Sequence, residues 1–346
     1  MAEKSRVTFL DFARGFSMIA VVLYHTLQPA AEGKLAMAIR FGGSGVHAFL
    51  FLSGFGLMMS SLKRPDLQGF FTRRFKRVLL PYYLFVTFIA IVSIFLPLYP
   101  GDGLRAYLGH ILLFRMFDES IIVSFGYHLW FLATIIQFYL IFPLLFRVYQ
   151  RLGGRTTLCL AILISTIFGI LTVWLDRTEY RIYNSSCLMF LWEFVLGMVV
   201  AEAYVSHGFR FWETSATRVG VVTVLALITE VLLVLRGGEI GQLLNNPAAM
   251  FAFGGLTILT YRLIRYLRLV WFEQAILWFA KISYEVYLVH GVIVTRLYYY
   301  LAPTALSSKL MVLAFTFTLS LVCGELYYRL LSATLFRNER VAAANS

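Results

Sequence analysis

Charge is what this sequence has least of. Asp, Glu, Lys and Arg make up 14% of its 346 residues, against roughly a quarter in soluble domains, and so few water-compatible groups cannot cover a globular surface. Its solvent must be largely lipid. Cysteine is as scarce: Cys159, Cys187 and Cys323 stand singly inside apolar runs. Without CxxC spacing they exclude a disulfide-rich secreted scaffold and read as small buried side chains. The 8 prolines and 25 glycines follow no period, so neither a collagenous repeat nor a low-complexity chain fits. No polar stretch is long enough for an appended soluble domain, and no internal repeat supports a transporter of duplicated halves.

What is abundant is apolar sequence, at 60% of residues, with a mean hydropathy of +0.77. The net charge of +12 and pI near 9.7 resemble a phosphate-binding footprint. The cations, however, fall in short clusters between long apolar stretches, the pattern of cytoplasmic loops under the positive-inside rule. No nucleic-acid partner is implied.

A helix crossing ~30 Å of hydrocarbon needs about 20 mostly apolar residues. That ruler predicts an all-α polytopic membrane protein with about ten transmembrane helices, near 8–28, 44–61, 78–97, 127–146, 157–175, 184–203, 219–235, 247–264, 275–295 and 309–331. The stretch Leu104–Leu113 is too short and too broken by charge to span, and is expected as an interfacial or re-entrant piece of loop 98–126. With the N terminus inside, cytoplasmic segments hold 19 Lys and Arg and outer segments 9, while Arg14 and Lys281 lie within spans. This places both termini in the cytoplasm. The first segment carries Asp11 and Arg14 and precedes no small-residue cleavage site, so it is expected to stay as a helix rather than be removed as a signal. A single membrane domain is expected over 1–335, followed by a short polar tail, 336–346.

Ionisable groups inside a bilayer are expensive and each asks for a function and a partner. The first span supplies Asp11, Arg14 and His25. At ~100° per residue the step from Arg14 to His25 turns three times plus roughly 20°, so both share one helix face, ~16 Å apart along the axis. Asp11 stands three residues before Arg14, where an ion pair is possible. One reading is a structural ion pair plus a core histidine. The other is a tunnel in which Arg14 binds an anionic or polar cofactor group and His25, titrating near neutrality, is a general base. A phosphopantetheine arm has a comparable length, on the order of 15–20 Å, so coenzyme A anchored at one end could present a thioester at the other.

Arg14 and His25 within LDFARGFSMIAVVLYH resemble the signature of acyltransferase family 3, integral-membrane enzymes that acylate hydroxyls of carbohydrates and other acceptors. Four further segments match in order: Gly45-Val46 with Phe49 to Phe55; Phe71 to Arg77 ahead of Pro81; Trp130-Phe-Leu with Gln137-Phe138-Tyr139 and Pro143; and Lys281 to His290. The resemblance is to an HLWFL-type branch, His128-Leu-Trp130-Phe-Leu, without a fused esterase-like domain. Where many members carry an acid soon after that tryptophan, this chain has none, and His47 stands where others differ.

The resemblance implies catalytic roles for His25 and Arg14 and a donor-binding role for Arg73, Arg74 and Arg77. Bidentate arginines suit the 3′-phosphate and pyrophosphate of coenzyme A; topology signalling and anionic lipid are the competing uses of that basic run. Asp11, His47, Ser53, His128, Trp130, Tyr284, His290 and Glu325 are substrate-binding candidates. Trp130 with His128 is either an interfacial belt pair or a wall for a sugar, and Ser53 is the motif serine that could carry an acyl group. Glu193, Glu230 and Glu325 are carboxylates that could orient His25 or pair with Arg14, and the sequence does not choose among them. With no HxxxH or HxxE spacing, no metal is expected. The function implied is O-acyl transfer, acetyl first, from acyl-coenzyme A as a co-substrate rather than a tightly bound cofactor. The acceptor is a hydroxyl of a cell-surface glycan or glycolipid at a bacterial cytoplasmic (inner) membrane. The alternative is an exporter of a lipid-linked saccharide.

Overall fold

The computed structural model describes residues 8–63, 67–96 and 98–335, and every regular element among them is helical. A lipid solvent requires this, because a helix satisfies its own backbone N–H and C=O groups. In chain order the helices are α1 (Thr8–Leu27), α2 (Gly33–Arg40), α3 (Gly45–Lys63), α4 (Leu67–Arg74), α5 (Leu80–Phe95), α6 (Leu104–Ile111) and α7 (Trp130–Trp174). There follow α8 (Arg181–Asn184), α9 (Leu191–His207), α10 (Ala216–Arg236), α11 (Gly238–Leu244), α12 (Asn246–Tyr266), α13 (Val270–Leu301) and α14 (Leu306–Thr334). The expected polar tail lies outside the described residues.

Among the described residues seven helical stretches are long and apolar enough to cross a bilayer: Ala38–Lys63, Gly69–Phe95, Tyr127–Trp174, Ala216–Arg236, Asn246–Tyr266, Val270–Leu301 and Leu306–Thr334. Tyr127–Trp174, at 48 residues, is more than twice the ~20 residues that one crossing needs. It breaks at Gly153, whose φ of 78° and ψ of 163° no helix accommodates, and so holds two of the expected segments. The expected segments 8–28 and 184–203 fall on α1 and α9, which stand outside the seven; α1 carries three ionisable groups and α9 has only 17 residues.

The chain divides into two compact, interleaved units: 1–21, 40–67 and 130–280 in the first, and 22–39, 68–129 and 281–346 in the second. In the first unit α3 and α9 touch backbone to backbone. A Cβ on Gly54 would overlap the Phe194 carbonyl oxygen, and one on Gly197 would overlap that of Phe51, the small-residue approach that holds helices together where lipid supplies no hydrophobic drive. Phe194 continues the contact by stacking on Phe138, centroids 4.3 Å apart. Helix α10, by contrast, turns Val221, Val222, Leu225 and Ile228 outward, as a lipid-facing helix does.

In the second unit the basic segment is irregular for a definable reason. Pro81 has no N–H to donate to the preceding turn, and residues Phe75–Leu79 widen into a π turn between α4 and α5. Tyrosine hydroxyls from later helices meet the carbonyls at this junction: Tyr284 donates to Val78 O at 2.7 Å and Tyr327 to Pro81 O at 2.6 Å. Loop 98–126 contains α6 and is pinned by an Arg105–Asp118 ion pair of 2.6 Å. Hydrogen bonds from Ser120, and then Arg105, hold Asp118 below the usual carboxylate pKa.

The α3–α9 approach makes a sharp prediction. Gly197→Leu must push two backbones apart, an overpacking cost of about 1–3 kcal/mol or more, and should lower the melting temperature of the detergent-solubilised protein by several degrees. Gly220→Leu, where a Cβ meets open space, should leave it unchanged.

Candidate active site

Three histidines far apart in sequence meet in the second unit. His25 comes from the last turn of α1, His128 from the short turn Tyr127–Leu129 ahead of α7, and His290 from the middle of α13. The His290 ring neighbours both of the others, its centroid 5.3 Å from His25 and 4.8 Å from His128. His290 is fully buried, His128 nearly so, and His25 half-buried.

The backbone decides which nitrogens are basic. His290 Nδ1 lies 2.9 Å from Tyr287 O and 3.0 Å from Val286 O. Carbonyls only accept, so Nδ1 carries the proton and Nε2 presents its lone pair. That Nε2 is buried and has no hydrogen-bond partner. His128 is keyed the other way, donating from Nε2 to Leu288 O at 3.1 Å, which leaves Nδ1 as its lone-pair nitrogen. Tyr287 clamps the same residue by donating from its hydroxyl to His128 O at 2.9 Å. Two glycines make room for the His128 ring: a Cβ on Gly291 would overlap it, and one on Gly126 would approach within 2.7 Å.

A second polar layer adjoins. Tyr82 OH is 2.6 Å from His110 Nδ1, and His110 Nε2 is 2.9 Å from Ser124 Oγ. His110 is fully buried, and burial, then the neighbouring Arg115 cation, pushes its pKa well below the ordinary value. Arg115 donates to the Ile122 and Gly126 carbonyls, the latter at 3.1 Å. Sequence reading missed His110 and Arg115, because a titratable residue in an outer loop carries no burial signal of its own.

Of the other sequence candidates, Tyr284 is spent on Val78 O, and Glu325 pairs with Arg329 at 2.7 Å. Arg73 and Arg77 are exposed and Arg74 half-buried, with its guanidinium 5.8 Å over Phe70. The remaining candidates belong to the first unit. There Arg14 Nη1 donates to Asp11 at 2.9 Å, and His47 Nδ1 sits 2.9 and 3.1 Å from the two Glu193 oxygens. Ser44 donates to Glu230 at 3.0 Å. The carboxylates that the sequence left unassigned therefore have named partners: Glu193 serves His47, Glu230 serves Ser44 and Glu325 serves Arg329. Arg181 stands over Trp130 at 5.3 Å, and Ser53 is half-buried on α3. Among the described residues no three His, Cys, Asp or Glu side chains converge as a metal site.

Chemically, the arrangement sets two buried imidazoles, each with one lone-pair nitrogen, beside the half-buried imidazole of His25. Comparison with known proteins agrees with this chemistry. The chain is 31% identical over 165 residues to the acyltransferase MdmB of Streptomyces mycarofaciens, covering 43% of this chain and 42% of that one. It is 26% identical over 227 residues to the peptidoglycan O-acetyltransferase OatA of Listeria monocytogenes, covering 56% and 35%. It is 30% identical over 209 residues, 58% and 59%, to the ORF330 protein of Acidianus two-tailed virus, whose name assigns it provisionally to the acetyltransferases. The matched part is thus about a third to three fifths of each relative's length. No solved structure matches. The acyltransferase domain of family 3 matches residues 7–328, and the chain, a multi-helix membrane protein with a buried imidazole row, belongs to that acyltransferase family.

Proposed function

We propose that the protein moves an acyl group, acetyl first, from acyl-coenzyme A to a hydroxyl of a cell-surface glycan or glycolipid at a bacterial cytoplasmic membrane. The observation that carries the reading is the meeting of His25, His290 and His128, with the tautomers of the last two set by backbone carbonyls. The name of the OatA relative supports a glycan acceptor.

In this mechanism the acceptor hydroxyl oxygen attacks the thioester carbonyl while His25 takes its proton. The carbonyl–sulfur bond then breaks, and the departing thiolate recovers the proton from the His25 imidazolium, so no net proton is consumed. His290 presents an unsatisfied buried acceptor, Nε2, beside the ring that becomes charged. That is where an orienting and charge-stabilising group is needed. Arg73, Arg74 and Arg77, at the α-to-π transition, hold the donor phosphates, and no metal enters any step. The positive-inside count puts these arginines on the cytoplasmic side and His25 towards the other face, so the donor need not cross the membrane.

Purified protein with labelled acetyl-coenzyme A should release free coenzyme A only when an acceptor is present. His25→Ala should fold normally yet lose ~100-fold or more of this transfer, the usual scale for a general base; retained activity would remove His25 from the mechanism. Arg73→Ala with Arg74→Ala should raise the KM for acetyl-coenzyme A at least tenfold, well beyond any change for the acceptor. An effect on membrane insertion alone would leave those arginines as topology signals.

Gly291 tests the row itself. Gly291→Ala drives a methyl group into the His128 ring, and sub-ångström to 1 Å displacements in such sites cost up to ~10²-fold. The variant should lose at least tenfold in kcat with an unchanged KM for the donor. An unaltered kcat would place His128 outside the reaction.

A further inference from the structure

A buried arginine, Arg115, and a half-buried one, Arg296, stand beside the histidine row without a paired carboxylate. Arg115 is only 4% exposed, and its hydrogen bonds go to backbone carbonyls rather than to a carboxylate. Its Nε is buried without a partner. Arg296, six residues beyond His290 on α13, lays its guanidinium carbon 3.9 Å over the Tyr99 ring, and its Nε is also buried without a partner. Neither guanidinium makes an ion pair among the described residues.

Asp102 is the carboxylate whose field reaches both arginines, and it is already engaged by the Phe125 N–H at 2.8 Å. Two guanidiniums against one carboxylate leave one positive charge unbalanced, and the cost falls on Arg115, the buried one of the two. Burial accordingly pulls the Arg115 pKa below its ordinary value, against the opposing pull of Tyr82, Tyr287, Asp102 and Tyr99.

The position links this surplus to the reaction. Gly126, which accepts from Arg115, lies two residues before His128. Arg296 is six residues past His290, or ~9 Å along the helix axis. An anion held here therefore lies within the span of one or two sugar rings from the imidazoles. Both arginines fall in segments that the charge count assigns to the face opposite Arg73, Arg74 and Arg77, which separates them from the donor phosphates.

We infer that Arg115 and Arg296 form an anion subsite for the acceptor, so that the hydroxyl acylated belongs to a saccharide bearing a carboxylate or phosphate. Guanidiniums suit both groups, through paired N–H donors. The inference rests on the acyl-transfer reading, and binding measured without donor separates the two.

The detergent-solubilised full chain is titrated with methyl β-D-glucuronide, glucose 6-phosphate and methyl β-D-glucoside, following intrinsic tryptophan fluorescence. The same three sugars are then offered as acceptors with acetyl-coenzyme A. At least one anionic sugar should bind tenfold or more tightly than the glucoside and be acylated in preference to it by a similar factor. Arg296→Gln, and independently Arg115→Gln, should bring that preference towards one. The preference is a ratio within one preparation, so partial misfolding does not mimic the result. Equal binding of charged and neutral sugars, or a preference undiminished in both variants, overturns the subsite while leaving acyl transfer standing. Selective anion binding with no transfer to any acceptor keeps the subsite and overturns the reaction.

Discussion

The hydrogen bonds from His290 Nδ1 and His128 Nε2 to backbone carbonyls are the constraint on which the site depends. An imidazole in a water-filled cleft exchanges tautomers freely and offers either nitrogen. Here each ring donates to a carbonyl that cannot donate back, so each is left with a single lone pair. Those carbonyls come from one stretch of α13, and the histidine that supplies the motif's last residue is bound to its own preceding turn. The chemistry of the row is therefore written into the backbone of one helix, and Tyr287 on that helix fastens His128 to it.

The same rule governs the rest of the polar interior. With no water in hydrocarbon, a polar group must find a protein partner or remain costly. Asp11 meets Arg14, Ser44 meets Glu230 and Glu193 receives His47. Each pair except the first joins residues distant in sequence, so each also fixes which helices are neighbours. Glycines set how close those neighbours come, as Gly54 and Gly197 do between α3 and α9. Among the groups left over after this pairing are the His290 Nε2 and the Arg115 and Arg296 Nε atoms, which lie in or beside the histidine site.

Sequence reading reached the helices because apolar runs of span length have one structural solution in lipid. Each of the ten expected segments overlaps a helix, although 185–190 precede α9 and both α1 and α9 stand outside the seven span-length stretches, and the short Leu104–Leu113 piece is the short helix α6. Ranges blurred where a glycine rather than a loop divides two segments, as at Gly153. Asp11 and Arg14 were legible as a pair because their spacing is local. His128 and His290 were legible only as residues to be explained, since their meeting with His25 joins three elements separated by more than 100 residues at each step. No periodicity within a helix encodes that. Arg115 was counted only as an outer-loop charge, because burial of a loop residue is decided by what the loop folds onto.

Helix α13 also gives the proposed donor end and the reacting end a common frame within the second unit. Tyr284 holds Val78 O, the residue next to Arg77 at the π turn, and His290 follows six residues later on the same helix, ~9 Å along its axis. A phosphate held by Arg74 or Arg77 and a thioester beside His290 would then be separated by that rise plus the reach of the two side chains, which is the order of length of a pantetheine arm. The π turn that Pro81 imposes thus does more than accommodate a proline. Val78, whose carbonyl Tyr284 takes, lies within that turn, so Tyr284 ties the basic segment to the helix that carries His290. A tyrosine that motif matching alone reads as a substrate contact is, in this fold, the strut that spaces the two.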